Sequence, residues 1–143
     1  MSNNNSVFAG TTRDAQQLWV HAHVWHHRKS SHRLPVTVLL DTGAGGGNYA
    51  SHRWWKSLVP WGNVTGKLCT IGSGFLRAAN PSGSNIPPMR IRGSAVIPIR
   101  FHPKDRVRKV WVRVVDGLPY GFILGASFFR RNKSTLSLSL IHI

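Results

Sequence analysis

The chain predicts a mostly-β fold, a sandwich or small barrel with one or two short helices. Three observations carry that expectation. Several apolar segments alternate with polar residues at a period of two, others are short runs rich in β-branched residues, and clusters of Gly, Pro, Asn, Ser and Asp separate them. At 143 residues the chain has room for a single modest core and not for two. A hydrophobic share of 41% and six tryptophans argue against disorder.

Residues 1–16 read as a flexible polar leader, because neither Asn3 to Asn5 nor Thr11 to Arg13 offers an apolar period; residues 17–143 read as one domain. In the stretch 18–25, Leu18, Val20, Ala22 and Val24 share one face, and Trp19, His21, His23 and Trp25 the other, which predicts a strand. A polar, basic turn follows over 26–33. Pro35 opens a second strand, Val36-Thr37-Val38-Leu39-Leu40, too short and too β-branched for a helix. Asp41-Thr42-Gly43-Ala44 and the triplet Gly45-Gly46-Gly47 make a loop, and 49–58 is expected to be a short helix stopped by Pro60 and Gly62.

Residues 76–91 hold a turn-rich centre between apolar flanks, a hairpin or long loop. Strands are expected over 95–101 and 107–115, joined by His102-Pro103-Lys104-Asp105, with a further turn at Asp116-Gly117. Phe122-Ile123-Leu124-Gly125 is a short apolar run, 127–132 makes one or two helical turns, and 135–143 is a terminal strand presenting Leu136, Leu138 and Leu140 on one face. No repeat of solenoid length is present.

Charge is the compositional anomaly. Nineteen Lys and Arg oppose four acidic residues, all aspartates, for a formal net charge of +15. A field of that sign favours nucleic acid or other anionic surfaces. Because the charges are scattered along the sequence, a biased basic composition is the equal alternative. No apolar run approaches the roughly 20 residues needed to span a bilayer, so no membrane association is expected, and the polar start has no signal-peptide character. The single cysteine, Cys69, excludes an internal disulfide and a cysteine-based zinc site; it reads as a small buried apolar residue.

Any carboxylate chemistry must use Asp14, Asp41, Asp105 or Asp116. Asp14 lies in the leader, and Asp105 and Asp116 lie in turns where Asp bonds local backbone. Asp41 differs. It follows five apolar residues at the end of a buried strand, where an unpaired charge is costly, so its position marks a functional-site candidate. His21 and His23 share a strand face, with His26, His27 and His32 close behind, but no carboxylate or cysteine completes a metal shell, so no metal site is expected. His52 and His102 are isolated. Trp54, Trp55 and Trp61 are expected to pack in the core or a dimer contact; stacking on bases is the alternative.

An apolar strand running into Asp41-Thr42-Gly43-Ala44 resembles the active-site signature of aspartic proteases. Leu118-Pro119-Tyr120-Gly121-Phe122-Ile123-Leu124-Gly125 resembles the hydrophobic-hydrophobic-Gly segment that retropepsins, the retroviral and retrotransposon proteases, carry far downstream; here 82 residues separate Asp41 from Ile123. The resemblance spans about residues 18–143. It implies a closed β-barrel lobe with Asp41 catalytic, Thr42, Gly43 and Ala44 as the active-site loop, and Ile123, Leu124 and Gly125 supporting that loop. A flap and substrate-binding hairpin would hold Ala79, Asn80, Pro81, Ser82, Gly83 and Ser84. The sequence departs from the retroviral pattern in having Ala126-Ser127 where those enzymes place Arg and Asn or Asp, a three-glycine insert after Ala44, and Pro81 in the flap.

The family chemistry needs two carboxylates that share one proton, and this chain has one motif. The resemblance therefore implies a two-fold homodimer in which each subunit contributes Asp41, with Thr42 bracing the opposite loop. It further implies a peptide or polyprotein substrate, no cofactor, and an intracellular setting in the cytoplasm or a retroelement particle. Two rivals stand beside it: a catalytically inactive retropepsin-fold module that binds nucleic acid or protein, and a basic nucleic-acid-binding barrel carrying the tetrapeptide by chance.

Overall fold

The computed structural model describes residues 6–7, 17–26, 33–41, 47–69, 74–78, 87–132 and 140–141. Within the stretch read as a leader, Ser6–Val7 forms a two-residue strand, β1. Strands β2 (Gln17–Trp25) and β3 (Arg33–Asp41) form an antiparallel ladder running from Gln17 opposite Asp41 to Trp25 opposite Arg33. The period-two reading of β2 holds, with Val20, Ala22 and Val24 buried, and the short apolar run of β3 is buried at Val36, Val38, Leu39 and Leu40. Pro35 lies inside β3 rather than at its start, exposed opposite His23. A proline is tolerated there because the other neighbour of β3 joins it only at Leu39, Leu40 and Asp41.

Residues 49–58 divide, contrary to the helix expected throughout. Tyr49–Ser51 is a buried strand, β4, and only His52–Leu58 is helical, α1, continuing as a 3-10 turn over Val59–Trp61. Tertiary pairing overrides local propensity here, because β4 lies between two further strands and fills both ladders. Ser51 is the residue where the change occurs. Its Oγ accepts the Trp54 backbone N–H at 2.9 Å, capping α1, whose Trp55 and Leu58 at i and i+3 face the core.

Strand β5 (Gly74–Ala78) pairs antiparallel with β6 (Met89–Arg100) and parallel with β1. Two separate segments were expected around Gly93; instead β6 is one strand of 12 residues. Its register shifts between Ile91 and Gly93, so the strand bends where it passes from β5 toward β7 (Arg108–Val115). Gly93 has φ +158°, and a Cβ there would collide with the Cys69 carbonyl oxygen. Cys69 and Ser94 exchange backbone hydrogen bonds of 2.8 and 2.7 Å across that approach. This corrects the reading of Cys69: its backbone does the packing, and its side chain is exposed.

Strand β8 (Phe122–Gly125) leads directly into α2 (Ala126–Arg131), and β9 (Leu140–Ile141) pairs with β2. The remainder of the expected terminal strand, with Leu136 and Leu138, lies outside the described residues. Strand order is β1-β5-β6-β7-β4-β8-β3-β2-β9, and β6 also pairs with β2 through His23 opposite Arg100 and Val24 opposite Ile99. The hydrogen-bonded path from β6 through β7, β4, β8, β3 and β2 thus returns to β6.

Two apolar clusters result. The larger gathers Val20, Val24, Val38, Leu40, Trp55, Leu58, Ile97, Val112 and Leu124. The smaller holds Leu39, Tyr49, Leu76, Met89, Ile91, Val115, Leu118 and Ile123. Neighbouring residues of β3 and β8 alternate between them, since Leu39 and Ile123 join the smaller while Leu40 and Leu124 join the larger. Of the three tryptophans assigned to packing, Trp55 is buried and Trp54 is half-buried, edge-on to Phe122 at 5.3 Å, but Trp61 is 64% exposed.

Candidate active site

Asp41 is the last residue of β3 and is fully buried. It is held from both sides. On one, Gln17 of β2 faces it; on the other, parallel β8 places Leu39, Leu40 and Asp41 opposite Ile123, Leu124 and Gly125. The apolar pentapeptide that marks β3 in the sequence is therefore the sheet-central segment delivering the carboxylate. By strand alternation Asp41 emerges on the side of Leu39, toward the smaller apolar cluster. That cluster also includes Leu76 and Met89, which face each other across the β5–β6 hairpin.

The structure thus brings Ile123, Leu124 and Gly125 beside Asp41. Thr42, Gly43 and Ala44 lie outside the described residues, as does the hairpin tip with Ala79, Asn80, Pro81, Ser82, Gly83 and Ser84; the two arms of that hairpin, β5 and the start of β6, are described.

Asn48 is a site residue that sequence reasoning missed. Its Oδ1 accepts the Gly125 backbone N–H at 3.1 Å, its Nδ2 donates to the Trp111 carbonyl at 3.2 Å, and its own carbonyl accepts from the Arg113 N–H at 2.9 Å. One side chain thereby ties the chain returning from the glycine-rich loop to β7 and to the residue opposite Asp41. The only sequence signal was a polar amide between the glycine triplet and an apolar pair. Ser51 adds a second tie, its N–H donating to the Gly121 carbonyl at 2.9 Å.

The other described aspartates are taken up by arginines. Asp105 receives two hydrogen bonds from Arg108, at 2.8 and 3.0 Å. Burial pushes its carboxyl up, but those bonds, the Arg106 backbone N–H and both positive charges outweigh it and hold the group below the usual carboxylate range. Asp116 accepts from Arg92 Nε at 2.8 Å through both oxygens, and His52 Nδ1 lies 3.7 Å from the same carboxylate. His52 is nonetheless shifted downward, chiefly by burial and then by Arg92. Arg92 already pairs with Asp116, so burial and that neighbouring cation outweigh the carboxylate and disfavour the charged imidazole. Among the described residues no group of three or more His, Cys, Asp or Glu could hold a metal ion, and no helix is long and apolar enough to cross a membrane.

No protein-family model matches the sequence, and no curated protein matches it either. Among solved structures, the retroviral protease-like domain of Ddi1 from Leishmania major superposes with a TM-score of 0.52 at 13% identity, covering 82% of this chain and 78% of that one. At that identity the likeness is one of fold. The chain is a mostly-β domain with two short helices and a retropepsin-like fold, similar to a retroviral protease-like domain.

Proposed function

We propose that the protein is an aspartic endopeptidase of the retropepsin type, working as a two-fold homodimer with one Asp41 from each subunit. A single observation carries this reading: the Asp41 carboxylate sits buried at the end of a sheet-central strand, opposite Gly125, in a fold similar to a retroviral protease-like domain. The return of the β ladders from β2 to β6 supports a closed barrel for each lobe. In the dimer the two carboxylates share a proton, because like charges in close proximity resist joint ionisation. The ionised member takes a proton from water as that water attacks the scissile carbonyl, and the protonated member donates to the carbonyl oxygen. The substrate is an extended peptide, part of a polyprotein, lying beneath the two β5–β6 hairpins. A retroelement particle or the cytoplasm is the setting we favour.

The test is cleavage of a peptide library with and without a statine-type inhibitor. Inhibitor-sensitive cleavage that disappears in Asp41→Asn is the expected result. A folded wild-type dimer that cleaves nothing would replace this reading with the inactive binding module.

A further inference from the structure

Basic residues scattered along the sequence are gathered by the sheet onto one outer face. Along β7 the exposed positions are Lys109, Trp111 and Arg113, alternating with buried Val110, Val112 and Val114. Trp111 is 63% exposed. Its cross-strand neighbour on β6 is Val96, and Pro98 lies opposite Lys109, so the ring stands on a partly apolar platform with a cation on either side along the strand. Beside this strand runs a groove of about 590 Å³, lined among others by Asn48, Arg106, Lys109, Trp111, Phe128 and Arg131. No carboxylate lines it among the described residues. Arg108 also lines it, with its guanidinium engaged by Asp105 and by Asn132 Oδ1 at 2.8 Å, so the nearest acid is already neutralised.

The same face continues across β6 to Arg100, which lies opposite His23. There the guanidiniums of Arg100 and Arg33 sit 4.5 and 5.7 Å from the centre of the Trp25 ring, held over it by cation–π attraction. Among the groups facing His23 are Arg33, Arg100 and His21, all cationic when charged. A concentration of positive charge without a facing acid is costly for the isolated fold and favourable once an anion arrives.

We propose that this face binds single-stranded nucleic acid, with Trp111 stacking on an unpaired base and Arg106, Lys109 and Arg131 contacting phosphates. Arg113, on the other side of the ring along β7, is hydrogen-bonded to Tyr49 and adds positive charge there. Each nucleotide presents one base and one phosphate, so the cation-ring-cation order along β7 matches the alternating chemistry of an extended strand. A duplex keeps its base faces stacked and would leave the indole unused. An acidic peptide would answer the charges and not the ring. Asp41 does not line this groove, although Asn48, which holds Gly125 opposite Asp41, does, so the test is read on Trp111 and the groove cations and not on Asn48.

The experiment is fluorescence anisotropy on the full chain with a labelled oligouridylate, an oligothymidylate and a duplex of equal length, across a salt series. Trp111→Ala should weaken single-strand binding roughly 5- to 150-fold, with Trp111→Phe restoring most of it. Arg106→Gln with Lys109→Gln should lower the log–log salt slope by about 1.4. The control, Lys67→Gln with Arg77→Gln, removes the same charge from exposed positions elsewhere and should leave the slope nearly unchanged. Thermal melts establish that each variant is folded. Wild-type affinity in folded Trp111→Ala overturns the proposal, as does a control pair that weakens binding as much as the groove pair. Duplex binding tighter than single-strand binding overturns it too, and so does displacement of the oligonucleotide by an equal concentration of oligo-aspartate.

Discussion

Asp41 and Asn48 divide the work at the level of single residues. In the proposed function Asp41 would carry the chemistry, while Asn48 holds the backbone of Gly125 opposite it. Asp41→Asn replaces an acid and base with a group of nearly the same shape, so folding should persist while kcat/KM drops by at least about 10²–10⁴-fold, measured on one fluorogenic peptide. Residual cleavage near the wild-type rate would remove Asp41 from the mechanism. Asn48→Ala leaves the part-buried Gly125 N–H without its acceptor, a loss of about 1–3 kcal/mol in urea denaturation. If Asn48 positions the loop, kcat should fall with little change in KM, and Asn48→Asp, which keeps the acceptor for Gly125, should recover part of it.

At the scale of elements, α1 shows how a local signal and a tertiary demand meet at one position. Ser51 ends β4 and caps α1, so both elements depend on it. Ser51→Ala removes the acceptor for the Trp54 N–H and should cost about 1 kcal/mol, read as a shift of the denaturation midpoint without change in its slope. The β5–β6 hairpin depends on a different device. Gly93 permits the close approach of Cys69 and the bend in β6, which lets one strand serve the hairpin at its start and the β7 ladder beyond it. A sequence reading that counts alternation alone breaks the strand at that glycine. The backbone instead continues through it with a shifted register.

For the whole molecule, the net charge and the proposed homodimer set the testable behaviour. One motif per chain predicts that specific activity falls as the protein is diluted below its dimer dissociation constant, followed by sedimentation alongside cleavage. Activity at every concentration from a sedimenting monomer would exclude the shared dyad. Stability should also depend on pH through the histidines. His52 faces Arg92, Lys56, Asp116 and the Trp55 ring, and His23 faces Arg33, Arg100, His21 and the Trp25 ring. Burial leads, and neighbouring cations follow, in holding both below the ordinary imidazole value of 6.5. The unfolded chain then binds more protons than the folded one in that range, so stability is fully present above 6.5 and is lost as pH falls through the folded values. Urea midpoints should therefore decline from about pH 8 to about pH 5, and His52→Gln should flatten the decline. An unchanged slope in that variant would assign the effect elsewhere.

What the sequence determined by itself was whatever rests on local pattern. Period-two alternation placed β2, alternation and β-branched content placed β7, the short β-branched apolar run before Asp41 marked β3 as a buried strand, and Phe122 to Gly125 coincided with β8, because these patterns are properties of each segment alone. Only the tertiary structure decided that β8 lies parallel to β3 with Gly125 opposite Asp41, that Tyr49 to Ser51 is strand and not helix, and that Asn48 joins Gly125 to β7. It also decided that cations far apart in sequence share one face with Trp111. Partners in a ladder are separated here by as many as 122 residues, as Trp19 and Ile141 are, and Asp41 and Gly125 by 84. Such register arises from burying both clusters at once while leaving few backbone groups unpaired, a condition on the whole chain that no local stretch encodes.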